Sequence, residues 1–336
     1  MRIGSVDLTR EVLVVAEIGN NHEGSYSLAE EMIGRAAESG AQAVKFQTFR
    51  PEHYVGRDDG ARLARLRKFA LSYEQFGELA KLARRIGIIF LSTPFDLASA
   101  DALNELCPAI KISSGDNTFF PLIERVAGFN KPILLSSGLA DIADVERATR
   151  RISTVWRKTD YLGEVVLLHC VSSYPTPANE ANLGAIKSLA DRFGGTVGYS
   201  DHTLGIEAAV LSVGLGARVI EKHFTLDKNY SDFRDHQLSA DPAELAELVR
   251  RVKHASDLLG HGRKTAQPCE AANRVAFRRS IAASRDLLAG TVLSWDDLTW
   301  VRPGDGIAPG DEANVLGRTL RRPVMLGELF RTEDLT

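Results

Sequence analysis

What most constrains this chain is a repeated alternation. Eight short, β-rich apolar runs, at 12–18, 43–47, 88–91, 109–112, 132–135, 165–170, 196–199 and 219–224, recur along its first two thirds. Between them, stretches such as 27–39, 72–85 and 142–152 place apolar residues every three or four positions, as a helix covering a sheet requires. Strand followed by helix, eight times over, is the pattern of parallel βα units, and the count of eight predicts closure into a (β/α)₈ barrel of the TIM type. An open, doubly wound sheet is the rival. It would offer a glycine-rich phosphate turn after its first strand, and Gly19-Asn20-Asn21-His22 is not that pattern.

A barrel takes about 250 residues, so 336 leave room for one small appendage. A final helix over 243–259 completes the eighth unit, and a polar stretch beginning at Gly260 follows it. Beyond that, short segments at 280–283, 298–301 and 324–325 are separated by Gly/Pro/Asp turns, which reads as a compact β-rich module of about 60 residues. The expected division is therefore a catalytic barrel over 1–262, a linker over 263–275 and a small domain over 276–336.

With a net charge of −3 and 25% charged residues, the chain carries neither the basic surface of a nucleic-acid binder nor that of a membrane-surface protein, so a small-molecule partner is expected. Three cysteines, Cys107, Cys170 and Cys269, are odd in number and lack metal-type spacing; they read as small hydrophobes in a reducing compartment. No basic-then-apolar leader opens the sequence and no apolar run approaches the roughly 20 residues of a membrane span, so the expectation is a cytoplasmic protein.

In a barrel of this type the reactive side chains project from the C-terminal ends of the strands. Those ends are polar throughout: Glu17 with Asn20-Asn21-His22, Lys45 with Gln47, Ser92-Thr93, Lys111 with Ser113-Ser114, Ser136-Ser137, His169 with Ser172 and Tyr174, Ser200-Asp201-His202, and Glu221-Lys222-His223. Helix capping could account for Ser92-Thr93 or Ser136-Ser137. It does not account for lysines. Lys45 and Lys111 lie inside apolar runs, where a lysine is rarely buried unless paired or holding an anion, so two of them at one mouth point to an anionic substrate. The alternative is a structural ion pair with Glu17 or Glu221. His202 and His223 end consecutive strands, side by side, with Glu221 nearby, and two imidazoles with open positions suit a Lewis-acid metal site. His22 and His169 are weaker candidates for ligand contact.

In these residues the chain resembles the sialic acid synthase family, the nonulosonic acid synthases. The matching strings are Ala16-Glu17-Ile18-Gly19-Asn20-Asn21-His22, Val44-Lys45-Phe46-Gln47, Phe90-Leu91-Ser92-Thr93-Pro94-Phe95-Asp96, Lys111-Ile112-Ser113-Ser114-Gly115, Gly198-Tyr199-Ser200-Asp201-His202-Thr203 and Ile220-Glu221-Lys222-His223-Phe224. The C-terminal module resembles that family's antifreeze-like (SAF) domain through Arg278-Arg279-Ser280-Ile281 and Arg302-Pro303-Gly304-Asp305-Gly306-Ile307. The resemblance implies condensation of phosphoenolpyruvate with an N-acetylmannosamine-type aldehyde to give a nonulosonic acid and phosphate, in a domain-swapped homodimer, with a divalent metal, manganese or magnesium. By motif it implies His202 and His223 as metal ligands, and Lys45, Lys111, Thr93, Ser114, Ser136 and Ser200 as the phosphoenolpyruvate cradle. Glu17, Glu221, Tyr174 and Asp235 are implied around the sugar and the attacking water, with Gln47 and Ser172 as further substrate contacts. Arg302 is implied to reach the barrel mouth of a partner subunit.

Two departures from the family pattern bear on the acceptor. Where the family reads Cys-Thr-Asn before Tyr-Pro, this chain has Cys170-Val171-Ser172-Ser173-Tyr174-Pro175, a hydroxyl in place of an amide. Where the family reads Gly-Pro-Asp-His, it has Asp232-Phe233-Arg234-Asp235-His236, one residue longer and with an added aromatic and cation. The acceptor is thus open to a diacetamido, non-acetylated or phosphorylated sugar, and a non-catalytic barrel that binds acidic sugars is the alternative of a different class.

Overall fold

The computed structural model of the protein describes all 336 residues, and the chain divides into two compact units, Met1–Gly260 and His261–Thr336. The first unit holds the eight expected strands: β1 (Leu13–Gly19), β2 (Ala43–Thr48), β3 (Ile89–Pro94), β4 (Ile110–Ile112), β5 (Ile133–Ser136), β6 (Val165–Cys170), β7 (Val197–Asp201) and β8 (Val219–His223). The ladders among them are parallel, in the order β3-β2-β1-β8-β7-β6-β5-β4, and the end strands β3 and β4 lie side by side. The expected TIM-like barrel is borne out, with strand ends shifted by at most three residues.

The period of two along each strand sorts the side chains. On β1, Val14, Ala16 and Ile18 pack outward with Met32 and Ile33 of α1 (Tyr26–Glu38), while Leu13 and Val15 point inward beside Ala43, Leu91, Leu134, Leu168 and Val219. A hairpin, Arg2–Ile3 against Val6–Asp7, adds Ile3, Val6 and Leu8 to this interior cluster. Two residues further along six of the strands the inward position turns polar: Glu17 after Val15, Lys45 after Ala43, Thr93 after Leu91, Lys111 after Ala109, Ser136 after Leu134 and Glu221 after Val219. An apolar plug thus lies beneath a polar ring. Gly198 is an inward position of β7 where only glycine fits, because a Cβ there would meet both Leu168 Cδ2 and the Val219 carbonyl oxygen at 2.5 Å.

The covering helices start on caps visible in the sequence: Ser72 with Gln75 for α2 (Tyr73–Ile86), Asp141 with Asp144 for α3 (Ile142–Lys158) and Asp241 with Glu244 for α4 (Pro242–Leu259). The α3 helix runs past the expected residue 152, because Trp156 continues its buried stripe and its indole N–H donates to the Ala127 carbonyl, 3.0 Å. Two short helices not expected from the sequence, Pro51–Tyr54 and Gly60–Phe69, fill the connection between β2 and α2 at the C-terminal end of the strands. No helix is long and apolar enough to cross a membrane.

In the second unit, β9 (Ser280–Ala283) pairs antiparallel with β10 (Leu298–Val301), as expected. The third expected segment makes only one bridge, Val324 to Leu287. Ile281, Leu293, Leu298, Val315 and Phe330 form the core of this unit. Part of the stretch read as linker is ordered as an exposed helix, Ala271–Phe277, which the polar composition concealed.

Candidate active site

The four buried ionisable groups of the polar ring form one cluster. Lys45 Nζ lies 2.8 Å from Glu17 Oε2 and 3.6 Å from Glu221 Oε1, and Lys111 Nζ lies 3.6 Å from the same Glu221 oxygen. Register explains the meeting, since Glu17 stands opposite Lys45 on the neighbouring strand and Glu221 opposite Ser200. Ser200 donates to Glu221 Oε1 (3.0 Å), Lys45 donates to Thr93 Oγ1 (3.0 Å), and Gln47 reaches Glu17 Oε1 at 3.3 Å while accepting from Asn20 at 2.7 Å. Both lysines are therefore ion-paired with these glutamates.

Burial sets the protonation of this cluster. It pushes Glu17 up to about 7, against the pull of Lys45. At Glu221 burial is outweighed by Lys111, Lys45 and the Ser200 hydroxyl, which hold the carboxylate below its usual range. Burial lowers Lys111, and Glu221 only partly offsets it; at Lys45 the two glutamates outweigh burial and raise it. Two carboxylates in one cavity are thus split into one poised near neutrality and one held ionised.

Around the cluster, hydroxyls converge from separate strands. Ser136 Oγ and Ser172 Oγ are buried with no hydrogen-bond partner, and Ser114 Oγ accepts from the Gly138 amide at 3.1 Å. Capping explains neither serine pair: Asp96 and Asp141 cap the helices that follow, and Ser137 donates to the Leu168 carbonyl instead. The rings of His202 and His223 stand 5.5 Å apart, and Tyr174 stacks at 4.1 Å on His202. His202 Nδ1 is 2.8 Å from the Val171 carbonyl, which leaves its Nε2 for a ligand; the His223 ring makes no hydrogen bond and its Nδ1 is buried and unpartnered. Burial, reinforced by the neighbouring cations, holds His223 neutral.

No set of three or more His, Cys, Asp or Glu side chains converges to hold a metal ion. The donors that remain, a neutral unbonded imidazole, a second one oriented through Nδ1 and the unpartnered Glu221 Oε2 beside them, fit a divalent cation that takes most of its ligands from substrate and water.

The fourteen barrel residues assigned a metal, substrate or catalytic role from the sequence, Asp235 included, line one cavity of about 1310 Å³. Arg302 belongs to the second unit, where its Nε donates to the Phe277 carbonyl (2.9 Å) and its guanidinium lies 5.7 Å from the Phe277 ring centre. His22 and His169 do not line the cavity. His22 accepts from the Gly24 amide at 3.1 Å, and His169 meets the Ala181 carbonyl at 2.9 Å and stacks on Tyr199. Residues the sequence reading missed also line it. Cys170, read as a core thiol, lies 3.7 Å from His202 Nδ1, and Arg62, Arg65, Lys68 and Phe69 come from the unexpected Gly60–Phe69 helix. The alternating inward positions of β6 pointed to Cys170; the basic helix in a βα connection was the signal for the others.

A family model described as NeuB family matches residues 32–264, and one described as SAF domain matches residues 278–336. The chain belongs to the NeuB family. The expected kinship with nonulosonic acid synthases and the expected SAF domain are both borne out. This NeuB-family chain is 42% identical to an uncharacterized protein of Methanocaldococcus jannaschii, over 96% of its own length and 94% of that protein. It is 39% identical to the N,N'-diacetyllegionaminic acid synthase of Campylobacter jejuni, over 96% and 99% of the two chains. Among solved structures, the N-acetylneuraminic acid (sialic acid) synthetase of Leptospira borgpetersenii in complex with citrate matches with a TM-score of 0.76 at 34% identity, covering 81% of this chain and 94% of that one.

Proposed function

We propose that this protein condenses phosphoenolpyruvate with an N-acetylmannosamine-type aldose, yielding a nonulosonic acid and inorganic phosphate. The observation that carries the reading is the buried Lys45/Lys111/Glu17/Glu221 cluster sharing a cavity with unpartnered hydroxyls and a pair of imidazoles. In the reaction C3 of the enol bonds to the aldehyde carbon, water adds to C2, and the C2–O bond to phosphate breaks. Lys45 and Lys111 balance the anion, and the hydroxyls of Thr93, Ser114, Ser136 and Ser200 donate to its oxygens. A divalent cation, manganese or magnesium, held by His202 and His223 would supply the charge that polarises the aldehyde oxygen. Glu221, kept ionised, stabilises the positive charge that develops at C2. Glu17, raised to about 7 and bonded to Gln47, gives its proton to the aldehyde oxygen as the C–C bond forms and takes one back as water adds. Tyr174, Ser172 and Asp235 border the acceptor.

A diacetamido-trideoxyhexose is favoured within this acceptor class by two observations. The Campylobacter relative is an N,N'-diacetyllegionaminic acid synthase, and the cavity carries an aromatic wall, Phe69 against Phe233 at 5.2 Å and Tyr54 stacked on Phe95 at 4.4 Å, suited to methyl groups. The working unit in this reading is a homodimer whose mouths are completed by Arg302 of the partner. The test is phosphate release and product mass on mixing phosphoenolpyruvate with a panel of 2-acetamido, diacetamido and 6-phosphorylated hexoses. No phosphate with any of them would leave a binding protein instead.

A further inference from the structure

The β8–α4 connection carries a group that the proposed chemistry does not use. We infer that Arg234 reads the acyl oxygen of an acetamido group on the acceptor, with Asp235 accepting from the neighbouring hydroxyl. The inference rests on the reading of this cavity as an acylated-aldose site, and concerns which residue selects for acylation.

Three observations support it. The segment is pinned in place: Phe233 packs edge-on against Phe69 at 5.2 Å, Ser231 Oγ bonds to Glu23, and the buried His236 meets Thr225 Oγ1 at 2.7 Å. Second, the Arg234 guanidinium stacks 4.8 Å over the Tyr174 ring, which itself stacks on His202, so the fork is held beside the reacting end of the cavity. Third, polar capacity is left unspent. The guanidinium donates to no protein acceptor and lies 3.4 Å from Asp235 Oδ1, while that oxygen has no hydrogen-bond partner although Asp235 is only 8% exposed. A buried carboxylate oxygen left without a hydrogen bond is costly even beside a cation, and a ligand hydroxyl that donates to it lowers the cost.

At Arg234 itself charge favours a neutral acyl group over a phosphate, although Arg62, Arg65 and Lys68 line the same cavity. Asp235 already balances Arg234, and Asp232 lies in the same cavity lining, so a second anion would meet two carboxylates. A carbonyl oxygen accepts from the planar fork without adding charge, and its methyl group finds the Phe69–Phe233 wall.

The test is binding, measured by calorimetry or ligand-observed NMR on the full-length protein and its Arg234→Ala and Arg234→Lys variants. The probes are N-acetylmannosamine, mannose and N-acetylmannosamine 6-phosphate. The side chain of Arg234 is 69% exposed, so both variants should fold, which thermal melting checks. Expected is a wild-type preference for N-acetylmannosamine over mannose of about tenfold, the scale of one hydrogen bond to a charged group, lost in Arg234→Ala and not restored by lysine. A preference that survives in Arg234→Ala, or is absent from the wild type, overturns the assignment. So does tighter binding of the 6-phosphate that Arg234→Ala loses and Arg234→Lys keeps, which would make Arg234 a phosphate ligand. Phosphate release from phosphoenolpyruvate is scored separately on the wild type, so failure of the condensation reading is seen apart from failure of this one.

Discussion

Glu17 makes the affinity for phosphoenolpyruvate dependent on pH in a calculable way. With Lys45, Lys111, Glu17 and Glu221 all ionised the cluster is neutral, and a multiply charged anion arriving beside it raises Glu17 above its already elevated value near 7. If the complex holds Glu17 protonated, then at pH 8 the free protein carries that proton in only a minority of molecules, and binding takes up most of one proton. The sign follows. Affinity falls as pH rises above about 7, by about tenfold or 1.4 kcal/mol per pH unit. A phosphate ester's own second ionisation lies near 6, so the window from pH 7 to 9 excludes the ligand's titration, and comparison with Glu17→Gln separates Glu17 from Lys111, which burial also lowers. Glu17→Gln copies the protonated carboxyl and should flatten the slope, binding up to about tenfold more tightly than wild type at pH 8 and about equally near pH 6. Titration calorimetry in buffers of different ionisation enthalpy counts the protons. No uptake at pH 8, or the same slope in Glu17→Gln, would refute the assignment of the proton to Glu17.

Exhaustive chelation should abolish phosphate release, and His202→Ala or His223→Ala should lose bound manganese by elemental analysis while melting like the wild type; full turnover after chelation removes the metal from the mechanism. Lys111→Met keeps the aliphatic volume and leaves Glu221 with Lys45 and Ser200, so affinity for phosphoenolpyruvate should fall by about 2–5 kcal/mol with little change in melting temperature. Normal binding with easy unfolding would make Lys111 purely structural. Mixing Arg302→Ala with His202→Ala chains under subunit exchange should restore one working mouth per heterodimer if the SAF domain serves its partner; absence of recovery despite demonstrated exchange places Arg302 outside that role.

Much of this protein was legible in one dimension. Periodicity distinguished strand from helix, the count of eight predicted the barrel, and a parallel barrel gathers every βα connection at one end. From that point the strand-end residues Glu17, Lys45, Lys111, His202, Glu221 and His223 had to meet, because an alternation of two that starts with Leu13, Ala43 or Val219 in the interior returns to the interior at Glu17, Lys45 or Glu221. Tertiary structure alone decided the rest. Lys45 selects Glu17 at 2.8 Å and only brushes Glu221 at 3.6 Å; Ser136 faces the cavity unpartnered while Ser137 turns to a carbonyl; His22 and His169 spend their bonds on the backbone. The same holds for the split between a proton-carrying Glu17 and an ionised Glu221, and for the stacking of Arg234 on Tyr174. Periodicity specifies the face and the end on which a residue sits, but a pairing or a proton affinity depends on distances of a few tenths of an ångström between strands up to some 200 residues apart, and those are set by stagger, burial and packing.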